Sequence, residues 1–106
     1  MHDEPTILVV DDNQDLLETF AMILKRHGFC VETAENGASA VDKFKKHTFD
    51  VTLMDIVMPE MNGVEAFRKI KEMEPGAPVI LMTAYSDEDL IETAKTEGVN
   101  HIINYQ

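Results

Sequence analysis

The sequence is short of positive charge. Nine Lys and Arg stand against 20 Asp and Glu in 106 residues, a formal net charge of −11. Such a balance leaves no basic patch to neutralise phosphates, so nucleic-acid binding by this chain alone is not expected. Most of the acid serves as a solvated surface, though it also suits a site that holds a cation. Cysteine is nearly absent. Cys30 alone allows no internal disulfide, and its place in an apolar strand pattern marks it as an inert core residue. No apolar run approaches the roughly 18 to 20 residues that span a bilayer, so no membrane segment is expected. The opening Met-His-Asp-Glu-Pro has neither the basic nor the apolar region of a signal peptide, which makes the cytoplasm the default location. Repeats, linkers and low-complexity tracts are missing. So are a Gly-rich phosphate loop, a Gly-x-Ser-x-Gly elbow and any zinc spacing, and the four histidines are scattered.

What is present is enough for one modest domain, and 44% hydrophobic residues are enough to fold it. Thr6-Ile7-Leu8-Val9-Val10 reads as a central strand buried on both faces, with Asp11-Asp12 at its carboxyl end. A helix is expected from about Asn13 to His27, with Leu16, Leu17, Phe20, Ile23 and Leu24 inward. Lys25, Arg26 and His27 complement its dipole and Gly28 follows its cap. Phe29 to Ala34 reads as a more peripheral strand. After the Asn36-Gly37 turn comes a short helix, Ala38 to Lys46, burying Val41 and Phe44. Val51 to Met54 form the third strand, which ends at Asp55. Pro59 and Asn62-Gly63 force a turn before a helix over Val64 to Met73 that buries Val64, Phe67 and Ile70. Val79 to Met82 make the fourth strand, ending at Thr83-Ala84. Asp87 leads a helix to Thr96 with Leu90, Ile91 and Ala94 inward, Gly98 ends it, and Ile102-Ile103 is a short fifth strand. Strict alternation of strand and helix implies right-handed βαβ units and a doubly wound parallel sheet.

Asp11, Asp12, Asp55 and Thr83 then share the carboxyl edge of that sheet, where open α/β folds bind ligands. Each has a plain alternative. Asp11 or Asp12 could cap the first helix, Asp55 could be a turn residue, and Thr83 could end a strand. Their joint placement points to one site. At an effective dielectric near 20, two carboxylates about 4 Å apart repel by on the order of 4 kcal/mol, so such a cluster marks a cation site. Oxygen donors with few carboxylates suit Mg2+. An Asp beside the ion can act as a nucleophile and become an aspartyl-phosphate, and Thr83 offers a hydroxyl to a phosphoryl oxygen.

At these residues the chain resembles the receiver domain of two-component response regulators. The resemblance runs from Ile7 to about Ile103. It rests on Ile7-Leu8-Val9-Val10-Asp11-Asp12, on Asp55-Ile56-Val57-Met58-Pro59-Glu60-Met61-Asn62-Gly63, and on Val79-Ile80-Leu81-Met82-Thr83-Ala84. It implies a five-stranded sheet in the family's order 2-1-3-4-5, carried over and not read from this sequence. It implies that Asp55 accepts a phosphoryl group from a histidine kinase or phosphotransfer protein. Asp11, Asp12, Asp55 and the backbone carbonyl of Val57 would hold Mg2+, and Thr83 would contact the phosphoryl group and move on activation. The chain would be a phosphoacceptor domain, not an enzyme acting on a separate substrate.

The chain departs from the family's pattern in three places. Tyr105 and Gln106 occupy the places of the family's Lys-Pro pair, and tyrosine can donate a hydrogen bond but not the lysine's charge. Ile102 stands where the family often has a switching aromatic. Residues 1–106 would form one receiver domain without its fifth helix, leaving part of one sheet face open; the chain would then self-associate across it, exchange an element with a second copy, or be a shortened form of a chain that supplies the helix. A degenerate receiver that binds partners without phosphorylation is the competing reading. A Mg2+-dependent phosphohydrolase is a third, but Val57 stands where that chemistry wants a second acid.

Overall fold

In a computed structural model of the chain, residues 4–83, 88–99 and 101–104 are described. Ala84, Asp87, Tyr105 and Gln106, all named above, lie outside the described residues. Among the described residues, five strands alternate with four helices: β1 (Thr6–Val10), α1 (Gln14–Arg26), β2 (Cys30–Ala34), α2 (Gly37–Lys46), β3 (Val51–Asp55), α3 (Gly63–Met73), β4 (Val79–Thr83), α4 (Glu88–Thr96) and β5 (His101–Asn104). The sheet is wholly parallel, in the order β2-β1-β3-β4-β5. Among the described residues, no helix is long and apolar enough to cross a membrane.

Apolar burial places the helices. Leu8, Val10, Met54 and Leu81 project from the sheet into one cluster with Phe44 of α2, Phe67 and Ile70 of α3 and Ala94 of α4. The odd-numbered partners Ile7 and Val9 face the other way and bury against Leu17 of α1. β1 is therefore covered on both faces, as its unbroken apolar run implies. The two layers are unequal. On the α1 side, Phe20, Leu24, Val51 and Leu53 are only partly buried. Ile103 of β5 is 48% exposed.

Helix ends follow local chemistry. Phe29 N–H and Gly28 N–H donate to the Leu24 and Lys25 carbonyls, and Val99 and Gly98 repeat the pattern on Ala94 and Lys95. Both glycines take positive φ, 91° at Gly28 and 98° at Gly98, as this C-terminal motif requires. Three packing expectations need correction. Cys30 is half-buried on the edge strand and is not a core residue. Ile23 is 44% exposed, while Ala21 takes the inward place on α1. Val41 is half-buried, and Ala40 packs fully in its stead. On both helices a smaller neighbour sits on the side nearest the sheet, which periodicity alone does not rank.

Thr52 is fully buried in the middle of β3, and its Oγ1 finds no hydrogen-bond partner among the described residues. Thr52→Val keeps the side-chain shape and removes a desolvated hydroxyl. It should raise unfolding stability by about 1 kcal/mol, read as a later urea midpoint at unchanged slope. Thr52→Ser keeps the hydroxyl, opens a methyl-sized void and should lower stability by about 1 kcal/mol.

Candidate functional site

Strand register assembles the site. Val10 pairs with Met54, so Asp11 and Asp55 each lie one step beyond that pair on neighbouring strands. Asp55 pairs in turn with Met82, and Thr83 follows as the last residue of β4. Asp11, Asp12 and Asp55 each present a carboxylate oxygen within 4.8 Å of the others. Asp11 is 1% exposed, Thr83 1% and Asp55 8%, while Asp12 is exposed at the rim.

The buried carboxylates are held by backbone donors. Asn13 N–H donates to Asp11 Oδ1 at 2.9 Å, and Val57 N–H donates to Asp55 Oδ1 at 3.1 Å. Asp11 Oδ2 is buried with no partner among the described residues. Burial pushes the Asp55 carboxyl up to about 6, against the Val57 N–H and with help from the charges of Asp11 and Asp12. Burial also raises Asp11, with the Asn13 N–H opposing and Asp12 adding to the rise. Burial, with the neighbouring acidic charges, drives these groups toward protonation. A divalent cation with oxygen-seeking chemistry would reverse that, and the orphaned Asp11 oxygen beside two further carboxylates fits one.

The plain alternatives resolve differently at each position. Asn13 caps α1, its side chain accepting from the N–H groups of Asp15 and Leu16, so neither Asp11 nor Asp12 is spent on that task. Asp55 does support its own turn through Val57 N–H, and it does so while sharing the acidic cluster.

The response regulator receiver domain model matches residues 7–104. The chain belongs to this family. The chemotaxis protein CheY of Bacillus subtilis (strain 168) is 39% identical over 98 residues, covering 92% of this chain and 82% of that protein. The transcriptional regulatory protein ZraR of Escherichia coli (strain K12) is 36% identical over 103 residues, 96% of this chain, and the chain spans 23% of its length. Among solved structures, the response regulator TrrA from Thermotoga maritima in complex with Mg(2+)-BeF superposes with a TM-score of 0.83 at 34% identity, over 96% of this chain and 87% of that one.

Two supports of the β3–α3 loop go beyond the sequence expectations. Asn62 and Glu65 form a reciprocal capping box at the start of α3. The Asn-x-x-Glu spacing signals it. Gly63 packs against the backbone carbonyl of Asp55, and a Cβ there would also lie 2.8 Å from Ile56 Cα. Its N–H donates to the Ile56 carbonyl at 2.7 Å. Nothing in a lone Asn-Gly pair reveals that approach.

The raised Asp55 carboxyl sets a pH dependence. Its pKa is about 6 when folded against 3.8 ordinarily, so the folded chain binds the extra proton between those values. Raising pH through that window removes the proton from the folded state and lowers stability. Without divalent cation, Asp55→Asn should therefore melt above wild type at pH 7 by roughly 5 °C, and the gap should shrink at pH 5. Thermal melts of both proteins across pH 4 to 8 in chelator check it.

Proposed function

We propose that this receiver domain is a phosphorylation-controlled switch whose phosphoacceptor is Asp55. The observation that carries the reading is the convergence of Asp11, Asp12 and Asp55 within 4.8 Å at the carboxyl edge of the sheet, with Thr83 buried at the end of the adjacent strand. Asp11, Asp12, Asp55 and the Val57 carbonyl would hold Mg2+, which when bound neutralises the carboxylates and the incoming phosphoryl oxygens. The donor is a phosphohistidine on a kinase or phosphotransfer protein. An Asp55 carboxylate oxygen forms a bond to phosphorus as the P–N bond breaks, and the imidazole nitrogen keeps that electron pair. The Val57 N–H on Oδ1 fixes the rotation of the carboxylate for that attack. Thr83 donates its hydroxyl to a phosphoryl oxygen, and its movement relays the state. The likeness to TrrA, solved with Mg(2+)-BeF, supports the same ligand chemistry here.

Tyr105 at the family's lysine position favours a second reading, a domain that binds partners without being phosphorylated. Intact-mass measurement decides between the two. With acetyl phosphate and Mg2+, wild type should gain the mass of one phosphoryl group, and Asp55→Asn should gain none. Tyr105→Lys should raise the yield, because a charge-assisted contact adds roughly 1.5 to 3 kcal/mol. Absence of an adduct on wild type with Mg2+ demonstrably bound would establish the interaction module instead.

We also infer that the half-covered α1 side meets a second copy of the chain. Val51, Leu53 and Ile80 are only partly buried, and Met22, Ile23 and Ile103 are exposed. Apolar patches of roughly several hundred Å² on soluble domains mark interfaces. Sedimentation over a concentration series should show a growing dimer fraction, and Leu53→Lys should suppress it. A monodisperse monomer that binds no hydrophobic dye would refute the association.

A further inference from the structure

The loop from Ile56 to Asn62 follows the phosphoacceptor and carries Val57. Three anchors pin it. Ile56 and Met58 are buried in the larger core cluster. Gly63 abuts the Asp55–Ile56 peptide. The third anchor lies on another element. Met61 is packed against Gly37, the first residue of α2, so closely that a Cβ on Gly37 would meet the Cγ, Sδ and backbone oxygen of Met61, each at 3.0 Å.

Between the anchors the backbone is under tension. Met61 N–H donates to the Pro59 carbonyl at 2.8 Å, and Glu60 between them has φ 66°. That is a γ-turn form in a non-glycine residue, a conformation that costs about 1 to 3 kcal/mol and persists only when its surroundings over-determine it. The Met61–Gly37 contact is one of those surroundings. Asn36 supports it from below by capping α2 through Ser39 N–H, which fixes where Gly37 stands.

We propose that Gly37 is a positioning residue for the divalent cation. By leaving room for Met61 it keeps the strained loop, and with it Val57, in register with the three carboxylates. The inference rests on the reading of Asp11, Asp12, Asp55 and Val57 as Mg2+ ligands. It assigns a role in that site to a residue of α2, which contributes no ligand.

Mg2+ affinity measured by isothermal titration calorimetry tests it, alongside thermal melts in chelator. Alanine is the better helix former at Gly37, so Gly37→Ala should leave the cation-free melting temperature close to wild type. Its Mg2+ affinity should fall by about tenfold, the low end for residues that support a metal's ligands. In a Met61→Ala background two of the three obstructing atoms are gone and only the backbone oxygen remains, so adding Gly37→Ala should cost clearly less affinity than it does in wild type, about threefold or less, the non-additivity expected of a direct contact. Met61→Leu branches at the Cγ facing Gly37 and should weaken Mg2+ without any change in α2, which keeps the test open should Gly37→Ala fold poorly. Wild-type affinity in Gly37→Ala, or an equal loss with and without the Met61 side chain, overturns the inference. Failure of wild type itself to bind Mg2+ overturns the reading of the site beneath it.

Discussion

Parallel pairing of β1 with β3 is the constraint on which the rest depends. Both strands are apolar, and β1 has helices against both faces, so a shift of one residue would turn its buried set toward the wrong layer. Register is thus fixed by burial. That fixed register brings Asp11 to Asp55 and sets the two carboxyl groups where desolvation raises both, with Asp12 adding to the rise at Asp11 and Asp11 and Asp12 adding to it at Asp55. The acidic cluster is under strain because the hydrophobic core leaves it no other place.

The same logic governs the loop after Asp55. A short connection must leave the strand, bury Ile56 and Met58, and enter α3 in a few residues. Only a close approach at Gly63 and a positive φ at Glu60 complete the path. Both are local disadvantages, tolerated because the capping box at Asn62 and Glu65 and the packing of Met61 hold the loop from outside. Rigid support of a strained segment next to a charged site is the arrangement expected where a small change in charge must move backbone. Loss of repulsion among the carboxylates, as a bound cation would bring, would act on that loop first.

The two faces of the sheet differ in how fully they are covered. The side carrying α2, α3 and α4 is densely filled and joined at its rim by the Arg68–Glu97 ion pair, 2.7 Å long. Exposed pairs of this kind contribute little to stability, so the integrity of that layer comes from Phe44, Phe67, Ile70 and Leu81. Among the described residues, the α1 side has one helix and a margin of half-exposed aliphatic residues.

The sequence by itself determined the alternation of strands and helices, because period and punctuation are local. Unbroken runs such as Ile7 to Val10 name buried strands, and Gly28 and Gly98 name helix ends. It also set Asp11, Asp12, Asp55 and Thr83 at the strand ends, since they stand where apolar runs stop. Tertiary structure alone decided which of the three polar residues after β1 caps the helix, and Asn13 took that place. It decided that Ala21 and Ala40 face the sheet more closely than Ile23 and Val41, because close helix packing favours the small side chain on the near side. It also decided that Gly63 and Gly37 are there for closeness to Asp55 and Met61. The reason is physical: a glycine in sequence shows only a freedom of φ and ψ, whereas the atom that would collide with its Cβ belongs to a segment brought near by the fold.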